Sequence, residues 1–248
     1  QYEGYFKYAV NNGETEKVKE ATVTIYDAEG YHRDNVESAF RELNYKFNEV
    51  RRNQPAASVL DGLTCLDDIL TADIVRNTRN VLDIVNSRDY KLKDKGKTVY
   101  EGDSVQIIAY TAVNPSISTT GDPSVKTYSG EIYIHLKDLA VLKNVTRITS
   151  RDFNTLGRNL VVINEKPKED VTMTITTTYK KLKSVYFLSG VNIDYSYQEE
   201  GSDVKGKMEF VTTRVNFNNP SAIEGRMYYE DIEENEKFWN QYSAYFQE

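Results

Sequence analysis

The chain has 248 residues, of which 39% are hydrophobic, 28% charged and 12% aromatic, and its net charge is −7. This composition excludes a fully disordered chain, because the apolar and aromatic side chains can build a substantial core. The acidic balance lacks the basic surface that nucleic-acid binding requires, so we expect no nucleic-acid partner. No stretch approaches the roughly 20 apolar residues of a transmembrane helix. The 19 Tyr against one Trp favour β-structure.

The first predicted element is an antiparallel hairpin over residues 1–27. Two runs of alternating apolar residues flank the turn signal at Asn11-Asn-Gly13. One face of each run is apolar: Tyr2, Phe6 and Tyr8 in the first, and Ala21, Val23 and Ile25 in the second. Residues 45–51 are compatible with a further strand, whereas the polar stretch 29–44 indicates no element.

Helical periodicity marks an insert over residues 58–85. Apolar side chains recur every three or four positions, at Val59, Leu63, Leu66, Leu70 and Ile74. This spacing predicts an amphipathic helix, and Val81, Leu82 and Val85 predict a second short one. Each has one apolar face, so we expect both helices to pack against a sheet.

Strand periodicity then extends over residues 88–217. In residues 171–179, apolar side chains alternate with Thr172, Thr174, Thr176 and Thr178. Short polar breaks separate several such runs, which predicts an antiparallel meander with one apolar and one polar face. An acidic start and a stripe of Phe238, Tyr242 and Tyr245 predict a C-terminal helix over residues 230–246. With no linker or repeat, the simplest organisation is a single domain over residues 1–248.

The sequence contains no recognisable catalytic, cofactor-binding or metal-binding motif. Its two histidines, His32 and His135, are about a hundred residues apart, and neither belongs to a zinc-binding pattern. Phosphate-binding glycine loops are absent from the sequence. The single cysteine, Cys65, stands in an apolar helical setting typical of a buried side chain. We therefore expect no catalytic residues, no cofactor and no metal.

Several short segments in the middle of the chain resemble a known family. They are residues 70–77 (LTADIVRN), 88–92 (RDYKL), 99–108 (VYEGDSVQII), 128–134 (YSGEIYI) and 139–143 (LAVLK). Together they resemble the region downstream of the β-sandwich in Bacteroidetes carboxypeptidase-regulatory-like domain proteins. That resemblance implies an exported protein of the periplasm or outer-membrane surface, with a cell-envelope or outer-membrane protein as partner. The chain begins at Gln1 with no signal peptide, and whether a β-sandwich or a lipid anchor precedes it stays open.

The segment 128–134, followed by LAVL, is also similar to periplasmic lipoprotein carriers at the level of pattern. The resemblance implies a curved antiparallel sheet around short helices, with an apolar concave face. Together, these observations predict an α+β, mainly β fold: a large, curved, half-barrel-like antiparallel meander. Two short amphipathic helices near residues 58–85 and a C-terminal helix would pack on it.

Three functions remain as hypotheses. The first is a non-enzymatic, exported cell-envelope module that acts by binding or scaffolding. The second is a carrier of a lipid or another apolar ligand in a half-barrel cavity, with ligand-facing side chains at Leu63, Leu66, Leu70, Val105 and Ile107. The third is an unrecognised hydrolase, which requires His32 or His135 to lie within hydrogen-bond reach of a serine or carboxylate in a cleft.

Overall fold

A computed structural model describes the greater part of the chain. The described residues are 1–11, 13–14, 16–26, 44–53, 66–76, 80–83, 85–120, 125–151, 170–199, 201–216, 223, 229 and 232–242. The strands are β1 (Tyr2–Asn11), β2 (Glu16–Tyr26), β3 (Asn44–Arg52), β4 (Tyr90–Tyr100), β5 (Asp103–Ala112), β6 (Val125–His135), β7 (Val141–Ser150), β8 (Val171–Leu182), β9 (Val185–Glu199) and β10 (Ser202–Val215). The helices are α1 (Leu66–Thr71), α2 (Ile117–Thr120) and α3 (Glu236–Tyr242), with a 3-10 turn at Ser87–Asp89.

All ten strands form one antiparallel sheet, in the order β3-β2-β1-β10-β9-β8-β7-β6-β5-β4. Strands β4 to β10 form the predicted meander, and β1 lies beside β10, where they are the third and fourth strands from the β3 edge. Phe6, for example, is directly opposite Phe210. The sheet is open, with β3 and β4 as its edges. The predicted mainly β fold with an antiparallel meander and a C-terminal helix is therefore confirmed.

Alternation along the strands separates an apolar face from a polar face. The apolar face carries most of the core, including Phe6, Val23, Phe47, Tyr110, Ile132, Ile175, Val191, Ile193, Met208 and Phe210. Because strand side chains alternate, the threonines of β8 that separate its apolar residues mostly point to the other side. The predicted hairpin and the strand at residues 45–51 both form, and each contributes buried residues to this core.

Aromatic rings cover glycines on neighbouring strands of the apolar face. Gly130 is opposite Tyr110, and a Cβ atom at this glycine would lie 2.4 Å from the Tyr110 hydroxyl and 2.2 Å from the Val145 carbonyl oxygen. Gly206 is opposite Tyr195 in the same way, with 2.0 Å between the added Cβ and the ring. Only a residue without a side chain fits at these positions, since protein interiors are closely packed.

The helical insert is fixed to the apolar face by a buried charged residue. Asp73, which is fully buried, accepts a hydrogen bond from the Tyr179 hydroxyl at 2.7 Å. The Arg76 guanidinium lies 3.5 Å from the Asp73 carboxylate and donates to the Tyr2 hydroxyl at 2.9 Å. The segment after α1 is thus bonded to β1 and β8 at once.

Where a second helix is predicted, the structure has turns at residues 80–82 and 85–86. Asp73, Asn80 and Asp83 each accept a hydrogen bond from the backbone amide two residues later, at 2.7–3.1 Å. Such Asx turns satisfy amides locally and compete with helix formation. The predicted beginning of the first helix, residues 58–65, lies outside the described residues.

The C-terminal helix α3 packs on the polar face, opposite to the face that α1 covers. Tyr242 stacks on Tyr5 of β1, with 6.0 Å between the ring centres. Trp239 is buried, and its indole nitrogen donates to the Val50 carbonyl of edge strand β3 at 2.7 Å. The helix spans Glu236–Tyr242 in the described part of the predicted 230–246 segment. It covers part of an edge that would otherwise present unpaired backbone groups.

The other edge, β4, is exposed along nearly its whole length. Lysines stand at residues 91, 93, 95 and 97, and a bulge interrupts the pairing at Asp94–Gly96. Lysines and bulges are typical protections of a free sheet edge against further strand pairing.

Candidate functional site

The structure distributes the five predicted ligand-facing residues over two separate places. Leu66 and Leu70 are buried in the core, where α1 lies against β9 and β10. Val105 and Ile107 lie on β5, four strands away from β9. Both are odd-numbered positions of β5, whereas the core residue Tyr110 is an even-numbered one. Val105 and Ile107 therefore face the opposite side of the sheet. The fifth residue, Leu63, lies outside the described part of the chain. The structure therefore does not bring these side chains together as one lining.

An open depression lies on the polar face of the sheet, away from the predicted apolar lining. It has a volume of about 820 Å³, and its lining spans seven neighbouring strands, from β2 through β1, β10, β9, β8 and β7 to β6. We call it the polar groove. Its hydroxyl side chains are Thr127, Ser129, Thr149, Thr172, Thr174 and Ser196, and its charged ones are Lys7, Glu16, Arg147, Asp194, Lys205, Lys207 and Glu209.

The strand register arranges the groove side chains in two parallel rows that cross the sheet. The first row consists of Ala9, Lys207, Asp194, Thr174, Arg147 and Ser129, each directly opposite the next. The second consists of Asn11, Lys205, Ser196, Thr172, Thr149 and Thr127. Neighbouring strands are about 4.8 Å apart, so a chain lying along a row meets a new side chain at each such step.

The two rows differ in charge. The first carries Lys207, Asp194 and Arg147, whereas the second is almost entirely hydroxyl and amide. Within the second row the hydroxyls of Thr172 and Ser196 are hydrogen-bonded at 2.9 Å. Cross-strand pairs of this kind also stabilise a sheet. The groove therefore offers donors and acceptors of both charged and neutral kinds at regular spacing.

An ion pair lies within the lining of the groove. The Lys207 ammonium lies 2.7 Å from the Glu209 carboxylate. The hydrogen bond that Lys207 donates to Glu209 raises the pKa of the ammonium group. Lys207 thus stays charged at neutral pH, and part of its hydrogen-bonding capacity remains for a ligand because an ammonium has three donors.

Of the two histidines, His135 lies in the described residues and His32 does not. The His135 ring nitrogens are 3.8 Å from the Asp103 carboxylate and 3.6 Å from the Asp138 carboxylate, beyond hydrogen-bond length. Its Nδ1 instead accepts the backbone amide of Asp138 at 3.1 Å. Asp138 is itself bonded by Lys181 at 2.5 Å and by the Tyr186 hydroxyl at 2.7 Å. This arrangement gives His135 no activated serine or carboxylate partner within that neighbourhood.

The described residues contain neither a cluster of metal ligands nor a membrane-spanning helix. In the described ranges there is no group of three His, Cys, Asp or Glu side chains that could hold a metal ion. No helix in the same part of the chain is long and apolar enough to cross a membrane.

Comparison with known proteins gives distant likenesses in structure alone. No protein-family model and no curated protein matches the sequence. The resemblance to carboxypeptidase-regulatory-like domain proteins finds no support in these comparisons.

Solved structures with some similarity include the following three. An outer membrane lipoprotein-sorting protein domain from Vibrio parahaemolyticus has 9% identity and a TM-score of 0.37, over 89% of this chain and 87% of that chain. A LolA superfamily protein from Nitrosomonas europaea has 8% identity and a TM-score of 0.30, over 87% of each chain. A chain of the Pseudomonas aeruginosa MucA/MucB complex has 10% identity and a TM-score of 0.23, over 86% of this chain and 89% of that chain.

Proposed function

We propose that this protein is a non-enzymatic, exported binding module of the cell envelope, and that its polar groove holds an oligosaccharide. The observation that carries the proposal is the pair of side-chain rows, which place hydroxyl, amide and charged groups across six strands.

The chemistry of the rows suits a ligand rich in hydroxyl groups. A threonine or serine hydroxyl both donates and accepts, as sugar hydroxyls do, so either partner can adapt to the other. The mixed charges at Asp194, Arg147 and Lys207 add acceptors and donors that form stronger, charge-assisted bonds. An extended peptide is usually recognised by a free strand edge or by apolar pockets, whereas the groove lies on the face of the sheet. An oligosaccharide is therefore the ligand class that the groove fits better.

Export and location in the periplasm or at the outer-membrane surface are part of the same proposal. They rest on the similarity of the segment 128–134 to periplasmic lipoprotein carriers, and an outer-membrane or cell-envelope protein is the proposed partner. An oligosaccharide of the envelope would be available to the groove in that compartment.

A matched pair of threonine variants tests the groove. Thr174 and Thr176 are both half-buried on the polar side of β8, and of the two only Thr174 lines the groove. We expect Thr174→Val to lower the affinity for a bound oligosaccharide about fivefold to tenfold, since one hydrogen bond contributes about 1 kcal/mol. Thr176→Val should leave the affinity unchanged. The measurement is binding to an array of defined bacterial cell-envelope oligosaccharides, followed by calorimetry with the strongest one. Absence of any binding, or equal losses in both variants, contradicts the proposal.

The apolar carrier is the second candidate, and lipid analysis separates it from the first. It requires an open apolar cavity, yet Leu66 and Leu70, two of its expected lining residues, are only 0% and 3% exposed. We expect protein purified from its own host to contain no stoichiometric lipid by native mass spectrometry. A bound lipid at one copy per chain would favour the carrier instead.

A further inference from the structure

Three hairpin turns meet at one end of the sheet. They connect β4 to β5, β6 to β7 and β8 to β9, so alternate turns of the meander lie side by side. We call the exposed residues of these turns, 97–102, 136–139 and 180–185, the hairpin end. The polar groove lies on the face of the sheet and shares none of these residues.

Aliphatic side chains are exposed at all three turns. Leu139 is 76% exposed and Val99 is 67% exposed. Leu136, Leu182 and Val185 are also among the exposed large hydrophobic residues. Single exposed apolar residues are ordinary on a protein surface, but five at three neighbouring turns of one sheet end are a concentration of apolar surface that favours an interaction site.

The backbone at each of these turns holds one residue in a conformation that disfavours its side chain. Glu101 has φ of 49°, Leu139 has φ of 56° and Lys183 has φ of 58°, all in the left-handed region. Glycine or asparagine normally takes such positions, because other side chains clash with their own backbone there. A leucine in this conformation that is also exposed contributes neither relaxed geometry nor core packing. Strain of this kind is characteristic of functional sites.

Lysines alternate with the aliphatic side chains. The turn between β8 and β9 carries Lys180, Lys181 and Lys183, and the turn between β6 and β7 carries Lys137. Lys181 pairs with Asp138. Lys137, Lys180 and Lys183 have no ion-pair partner among the residues that the structure describes. This local excess of positive charge stands out in a chain whose net charge is −7.

We propose that the hairpin end docks on an anionic lipid surface. The aliphatic tips enter the boundary between headgroups and acyl chains, while the lysines contact lipid phosphates. The long lysine side chains suit this position, since their methylene stems lie along apolar surface and their ammonium groups reach the headgroups. The proposal concerns a different surface from the groove and does not depend on its ligand.

The composition of the hairpin end favours lipid over a protein partner. The energetically important residues of protein interfaces are enriched in Trp, Tyr and Arg, and lysine is depleted there. Residues 97–102, 136–139 and 180–185 contain five aliphatic side chains and five lysines, against one tyrosine, Tyr100, and no arginine or tryptophan. Lysine interleaved with Leu and Val is instead the pattern of surfaces that bind membranes.

Flotation with lipid vesicles tests the proposal on the full chain. We expect the protein to float with vesicles of equal parts phosphatidylcholine and phosphatidylglycerol, and not with phosphatidylcholine alone. Each lysine near the surface should contribute about fivefold, so Lys180→Gln with Lys183→Gln should weaken binding about 25-fold. Leu139→Ser should weaken it about tenfold through lost apolar burial.

Matched variants at the opposite end of β4 serve as controls. Leu92 is also exposed, at 58%, and Lys91 and Lys93 flank it on the same strand. We expect Leu92→Ser, and Lys91→Gln with Lys93→Gln, to leave vesicle binding nearly unchanged. Failure of the unmodified protein to bind anionic vesicles overturns the proposal, as do equal losses at both ends. Protection of residues 136–139 from hydrogen exchange by an envelope protein, without vesicle binding, would assign the surface to a protein partner instead.

Leu139→Asn separates a role of Leu139 in vesicle binding from a role in stability, because the two properties should change in opposite directions. Asparagine tolerates the left-handed conformation better than leucine, so this variant should raise the midpoint of chemical unfolding. The same variant should bind anionic vesicles about tenfold more weakly, because it lacks the aliphatic side chain. A more stable protein with unchanged vesicle binding would overturn the role of Leu139 in docking.

Discussion

The two faces of the sheet accommodate polar groups in opposite ways. On the apolar face, Asp73 is completely buried, and its carboxylate is bonded by Tyr179 and paired with Arg76. On the polar face, Asp194 and Arg147 stand exposed along the groove. Buried polar groups need partners to offset their loss of water, whereas exposed ones already have water. Charged residues on the first face therefore determine stability, and those on the second remain available for a ligand.

The largest expected difference between the faces comes from two arginine substitutions. Arg76→Ala leaves the buried Asp73 carboxylate without its cationic partner, and we expect the free energy of unfolding to fall by about 3–5 kcal/mol. Arg147→Ala, on the exposed side, should change it by less than about 0.5 kcal/mol. Urea denaturation of the two variants measures the difference. Equal losses would mean that the two faces do not differ as described.

A smaller effect is expected from filling the space under an aromatic ring. Gly130→Ala would place a Cβ atom against the Tyr110 ring and the Val145 carbonyl oxygen. The ring must then move, at a cost of about 1–3 kcal/mol. Thermal unfolding of the variant measures this cost. Ser129→Ala, which changes the neighbouring residue on the polar face, is the control and should have a nearly unchanged unfolding temperature. An unaffected Gly130→Ala protein would show that Tyr110 repacks without strain.

The smallest expected effect concerns Asp138, at the hairpin end, and depends on pH. Hydrogen bonds from Lys181 and Tyr186 lower the pKa of this carboxyl to about 2. Its contribution to stability is therefore fully present above the unfolded pKa of about 3.9 and is lost as the pH falls towards 2. Asp138→Asn should unfold at a lower temperature than the unmodified protein at neutral pH, and the difference should disappear near pH 2. A difference that does not depend on pH would contradict this assignment.

Much of the fold follows from the sequence because nearly every strand has one buried side. Val171, Ile175 and Tyr179 are buried and Met173 is half-buried, all on the odd-numbered positions of β8, as the alternation predicts. The helical spacing of Val81, Leu82 and Val85 was misleading, since the carboxylate of Asp83 and the amide of Asn80 bind nearby backbone amides and replace a helix with turns. The spacing of apolar residues gives no information about such hydrogen bonds between side chains and backbone amides.

The groove could not be predicted, because its rows depend on register between distant segments. Lys207 and Asp194 are thirteen residues apart in the chain, and Arg147 belongs to a strand that precedes both. In the sequence, each of these residues is indistinguishable from an ordinary exposed polar residue. A useful signal was present in β8, where Thr172, Thr174 and Thr176 repeat on one face. That repeat identifies a hydroxyl-rich strand but gives no indication of what lies beside it.

The pairing of β1 with β10 has a consequence for how the protein folds. Phe6 and Phe210 are directly opposite each other although about two hundred residues of chain separate them. Contacts of such long range slow folding, because the entropy of closing the loop is lost before the contact stabilises anything. Until then, one side of β1 and one side of β10 are unpaired strand edges, which favours aggregation. The pairing of β1 with β10 is therefore expected to form late, and a folding intermediate that lacks it would be the species most in need of a chaperone.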